Sequence, residues 1–106
     1  NNLGRSYYEG EGVTQDYAQA VYWYRKSAEQ GNVSAQNNLG VCYANGEGVT
    51  QDYAQAVYWW RQAAEQGNAW AQYNLGICYS RGEGVTQDYE QAEYWKNLAI
   101  QNGYEP

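Results

Sequence analysis

With 106 residues and a net charge of -6, the chain has room for one small domain and lacks the clustered cations that a nucleic-acid surface needs. No apolar run reaches the length of a membrane span. Histidine is absent, which removes the commonest general base and metal ligand, while thirteen Tyr and five Trp make an unusual aromatic load.

The octapeptide Gly-Glu-Gly-Val-Thr-Gln-Asp-Tyr begins at Gly10, Gly46 and Gly82, a period of 36 residues. Such a period marks a stacked array in which no unit buries its apolar face alone. Residues 1–36 and 37–72 match at 27 of 36 positions, and 37–70 and 73–106 at 19 of 34. The chain is therefore expected to be one all-α array over 1–106, with repeats at 1–36, 37–72 and 73–106. Each repeat reads as helix A, loop, helix B and a short turn. The first opens at Asn1 with its helix A cut short, so the chain reads as processed or excerpted. In the second, helix A is predicted from about Val33 to Ala44, with Ala35, Leu39 and Tyr43 on one face. Gly46 to Thr50 breaks it, and Val49 is expected to plug this loop into the core. Helix B follows from about Asp52 to Gln66, capped by Thr50 or Asp52 and closed by Gly67. The third repeat follows the same plan. There Glu90, Glu93 and Lys96 replace Ala54, Val57 and Trp60, as in a capping repeat, although Leu98 and Ile100 go the other way.

The pattern Ala35-Gln36, Leu39-Gly40, Tyr43, Gly46-x-Gly48-Val49, Asp52, Ala56, Trp59, Ala63-Ala64 and Gly67 resembles the Sel1-like repeat, a relative of the tetratricopeptide repeat with a longer glycine-rich loop. The likeness runs through all three registers. It implies a right-handed superhelix of αα-hairpins with a concave helix A surface. It also implies a non-enzymatic adaptor or scaffold role, and a bacterial, secreted or periplasmic setting.

No catalytic or metal-binding constellation emerges from the residues, and no cofactor is expected. The Gly-Glu-Gly loops lack the Lys and the strand-to-helix context of a phosphate loop, and they offer too few carboxylates for calcium. Cys42 and Cys78 occupy equivalent places on neighbouring helices, too far apart for a disulfide, and are expected as buried free thiols.

The helical angle assigns Asn37, Val41, Ala44 and Asn45 to the concave face, with Asn38 at its flank. Asn1, Arg5, Tyr8 and Glu9 are the counterparts in the first repeat, and Tyr73, Ile77, Ser80 and Arg81 in the third. Asn2, Asn38 and Asn74 form a ladder whose amides can both donate and accept along an extended backbone, or serve helix ends and loops instead. Tyr22, Tyr58 and Tyr94 form a second ladder on the convex face. They read as a contact surface, or as tolerated residues packed on the stems of Arg25 and Arg61. Trp23, Trp59, Trp95, Tyr24, Trp60 and the Tyr7, Tyr43, Tyr79 series are expected in the core. Trp70 is expected to be an exposed contact residue. The leading expectation is a peptide or protein partner on the concave face. The alternative is a self-assembling array stacking head-to-tail into oligomers or filaments.

Overall fold

The computed structural model describes residues 16–105. Five α-helices occupy them: α1 (Tyr17–Glu29), α2 (Val33–Asn45), α3 (Tyr53–Glu65), α4 (Ala69–Arg81) and α5 (Tyr89–Gln101). Helices α2 and α4 are the A helices of the repeat and α1, α3 and α5 the B helices. Each packs on the next in chain order, giving an αα-hairpin solenoid without a strand among the described residues. The shortened first helix, with Asn1, Asn2, Arg5, Tyr7, Tyr8 and Glu9, lies outside the described residues.

The helix ends follow from side chains that satisfy orphan backbone groups. Asp52 Oδ1 accepts from the amides of Ala54 and Gln55 at 3.0 and 3.2 Å, so it is the cap and Thr50 is not. Asp88 repeats this at α5. The A helices begin at asparagines: Asn32 and Asn68 accept from the amides of Ala35 and Ala71, each at 2.8 Å. The A helices end at Gly46 and Gly82, which adopt left-handed φ of 70° and 69°.

The loop after each A helix is then laid on the preceding repeat. A Cβ on Gly48 would stand 2.4 Å from the carbonyl oxygen of Tyr17, and one on Gly84 at the same distance from that of Tyr53. Only glycine lets the loop backbone rest on the first turn of the preceding B helix. Val49 and Val85 pack their side chains against the core from these loops. Gln51 and Gln87 reach back to the carbonyl oxygens of Ala44 and Ser80 at 2.7 and 2.9 Å.

Within a repeat, the A helix approaches the B helix through a second glycine. A Cβ on Gly40 would lie 2.5 Å from Trp60 Nε1, so the indole sits directly on the α2 backbone. From there Trp60 Nε1 donates to the Asn37 carbonyl at 3.2 Å. At the equivalent Gly76 the space is filled by the aliphatic stem of Lys96, which keeps its charge at the edge. Tyr24, Trp59, Trp60 and Trp95 are buried as expected, whereas Trp23 and Tyr79 are only half-buried. Trp59 and Trp95 bury Nε1 with no acceptor among the described residues, at a cost of roughly 1–3 kcal/mol each.

Buried amides tie one repeat to the next. Gln36 Nε2 donates to the Ala28 carbonyl at the end of α1, while its Oε1 accepts from Nε2 of Gln66, the C-cap of α3, at 3.0 Å. Gln72 does the same between Ala64 and Asn102. Each relay adds a side-chain donor to a helix-end carbonyl that also accepts the amide of Gly31 or Gly67.

Cys42 and Cys78 are free and buried. Burial, reinforced by the Glu47 carboxylate, pushes the Cys42 thiol from 9.0 up to about 12. Burial, with Glu83 adding to it and Arg81 opposing, takes Cys78 to about 11. Because the folded values are raised, the stability these thiols contribute is complete below pH 9.0 and is lost as pH climbs towards those values. Native protein is therefore expected to resist a thiol reagent that modifies both cysteines in denaturant; rapid modification of the native state would contradict this burial. Gly40→Ala is expected to destabilise by about 1–3 kcal/mol in chemical denaturation, because the clash with Trp60 outweighs alanine's better helix propensity. A stabilised variant would show that the contact is looser than described.

Candidate functional site

Two surfaces carry the residues expected to make contacts. The first is the outer stripe of the A helices. On α4 it runs through Trp70, Tyr73, Ile77 and Arg81, spaced by three or four residues and hence on one face. Trp70 is 64% exposed, and Tyr73 and Ile77 are half-buried. On α2 the corresponding positions are Ser34, Asn37, Val41 and Asn45, with Asn38 at the flank. Val41 and Asn38 are half-buried and Asn45 is exposed.

The structure narrows this stripe. Asn37 and Ala44 were expected on the open face, yet both are buried. The α4 helix lies against that flank of α2: Asn74 Nδ2 donates to Asn37 Oδ1 at 3.4 Å while Trp60 holds the Asn37 carbonyl. The asparagine ladder is thus uneven, since Asn74 is engaged internally and Asn38 has no hydrogen-bond partner among the described residues. Asn2 and Tyr8 lie outside those residues. Tyr73 stacks on Tyr104 at 4.1 Å between centroids and 14° between planes, so one face of its ring is covered. Sequence reasoning had not anticipated Tyr104, which stands where the earlier repeats place their capping asparagines.

The second surface is the tyrosine ladder of the B helices. Tyr22, Tyr58 and Tyr94 are 51%, 53% and 58% exposed. Each stands edge-on to the tryptophan that follows it, with centroids 5.1, 4.9 and 5.1 Å apart and interplanar angles of 82°, 84° and 82°. Arg25 and Arg61 do not support this ladder. They cross to the next A helix, where Arg25 meets Tyr43 and Arg61 Nη2 donates to Tyr79 Oη at 2.6 Å. Their guanidinium carbons lie 5.5 and 5.7 Å from those ring centroids. Lys26 occupies the first rung instead. Its Nζ lies 5.1 Å from the Tyr22 centroid and 5.6 Å from that of Trp23, and donates to Tyr22 Oη at 3.3 Å.

Between α1, the α1–α2 turn and α3 lies a cleft of about 360 Å³, lined among others by Glu29, Gln36, Tyr58, Trp59, Gln62 and Gln66. Among the described residues no cluster of His, Cys, Asp and Glu is placed to hold a metal ion. None of the described helices is long and apolar enough to cross a membrane.

The family model of the Sel1 repeat matches residues 1–32, 33–68 and 71–104. The second and third matches begin four and two residues ahead of the repeat starts at 37 and 73. No curated protein matches the chain. Among solved structures, a protective antigen of uropathogenic Escherichia coli that displays an SLR fold is 50% identical, with a TM-score of 0.95 over 97% of this chain and 22% of that one. A Sel1 repeat protein from Oxalobacter formigenes is 38% identical, with a TM-score of 0.93 over 96% of this chain and 42% of that one. The chain thus spans less than half the length of either protein. The repeat period, the stacked glycine loops, the helical hairpins and these matches together place the chain in the Sel1 repeat family.

Proposed function

We propose that this chain is a non-enzymatic protein-interaction module that holds a peptide or protein segment along the outer stripe of its A helices. The observation that carries this reading is Trp70. It is a large aromatic side chain left 64% exposed at the head of a helix, in line with Tyr73 and Ile77. A tryptophan held open to water by a rigid hairpin offers a large contact area at low entropic cost. Val41 and Ile77 extend the apolar surface across neighbouring repeats, and Asn38 adds an amide that can donate to and accept from a peptide backbone. Family membership supports a scaffold role, since Sel1 repeats are generally interaction scaffolds rather than catalysts. The concave geometry and a secreted or periplasmic setting belong to the same proposal.

The test is a selection of peptides from a random library against the intact chain, followed by affinity measurement on variants. Trp70→Ala with Ile77→Ala is expected to weaken binding of the selected peptides by tenfold or more, while the melting temperature changes by only a few degrees. Asn38→Ala should give a smaller loss. Unchanged affinity in the double variant would refute the A-helix site.

A further inference from the structure

The tyrosine ladder contains its own precedent for a ligand. On the first rung the Lys26 ammonium rests against the Tyr22 and Trp23 rings, four residues after the tyrosine. On the second rung the Tyr58–Trp59 pair has nearly the same geometry, yet the residue four positions after Tyr58 is Gln62, which brings no charge. The cleft beside that pair contains Glu29, an exposed carboxylate from the neighbouring B helix, together with the amides of Gln62 and Gln66, while the Gln36 amide there is already engaged with Ala28 and Gln66. Aromatic rings, a carboxylate and amide oxygens are the groups that receive an alkylammonium, the rings taking its stem and the carboxylate its charge.

We infer that the Tyr58–Trp59 cleft binds the lysine side chain of a basic peptide, in the place that Lys26 fills on the rung before. The overall charge of -6 favours the same partner by drawing a cationic peptide towards the chain. Glu65 of the second repeat is the counterpart of Glu29 of the first, and on the third rung, Tyr94–Trp95, Leu98 replaces Gln62. The third rung therefore offers a more apolar and weaker version of the site. This surface lies on the B helices, and the inference does not depend on the A-helix stripe.

The test uses a lysine decapeptide titrated into the intact chain at low ionic strength, read by tryptophan fluorescence and calorimetry. Its fully acetylated form serves as the uncharged control. Gln62→Lys should fill the cleft from within, as Lys26 does, and weaken binding roughly tenfold. Glu29→Gln and Tyr58→Ala should weaken it comparably. Thr50→Lys adds the same charge in the exposed loop before α3, at the far end of that helix, and should have little effect. Circular dichroism confirms that each variant is folded. Equal losses in Gln62→Lys and Thr50→Lys would mean that bulk acidity alone attracts the peptide, which overturns the site. So would absence of binding to the unaltered chain, or equal binding of the acetylated form. Trp70→Ala should leave lysine-peptide binding intact, so failure of this site and failure of the A-helix site are separable.

Discussion

The Gly-Glu-Gly loops of the second and third repeats rest on the first turn of the preceding B helix, and the positions of the other surfaces depend on that contact. Gly48 meets the backbone of Tyr17, and Gly84 meets that of Tyr53, at the same separation. Any side chain there would push the repeats apart. With the loops seated, Val49 and Val85 reach the core, and the B-helix caps Asp52 and Asp88 donate their amides to Tyr43 and Tyr79. The opposite end of the stack is held by the Gln36–Gln66 and Gln72–Asn102 relays. A solenoid fixed at both ends keeps its faces in register, as a repeated contact surface requires.

The same fixed register explains why the two ladders differ. Along the A helices, packing of α4 on α2 consumes part of the expected surface, so Asn37 and Asn74 satisfy each other and leave Trp70, Ile77, Val41 and Asn38 more open. Along the B helices the tyrosines stay more than half exposed, and Tyr22, Tyr58 and Tyr94 keep one edge-on arrangement over their tryptophans. Among the residues that vary from rung to rung is the one a turn later, which is Lys26, then Gln62, then Leu98. Repeats that share one scaffold thus present chemically distinct sites.

Much of this was legible in the sequence, for local reasons. The 36-residue period announces the stack, the paired glycines announce the loop, and the Asp before each B helix announces its cap. The tyrosine exposure follows from helical angle, and the free buried thiols from the equivalent places of Cys42 and Cys78 on neighbouring helices. Contacts between residues distant in the chain were not legible. Asn37 is held by Trp60 and Asn74, residues 23 and 37 positions further along the chain, and helical angle within α2 cannot reveal that. Arg25 was expected beneath the tyrosine ladder, but Tyr43 of the next helix offers both a ring and a hydroxyl. The Gln36 relay joins residues 30 apart, and only the recurrence of glutamine at position 72 hinted that the amide was structural. Trp59 and Trp60 look alike in sequence, yet one indole N–H finds a carbonyl and the other is left without a partner.

The seating of each loop on the preceding repeat is tested most directly by native-state hydrogen exchange on Gly84→Ala compared with the unaltered chain. If that contact couples the repeats, the slowest amides of α3 and α4 should lose protection together with those of the loop at 82–88. Loss of protection confined to the loop, with α3 and α4 unchanged, would contradict the claim that glycine loop packing holds the array and its surfaces in register.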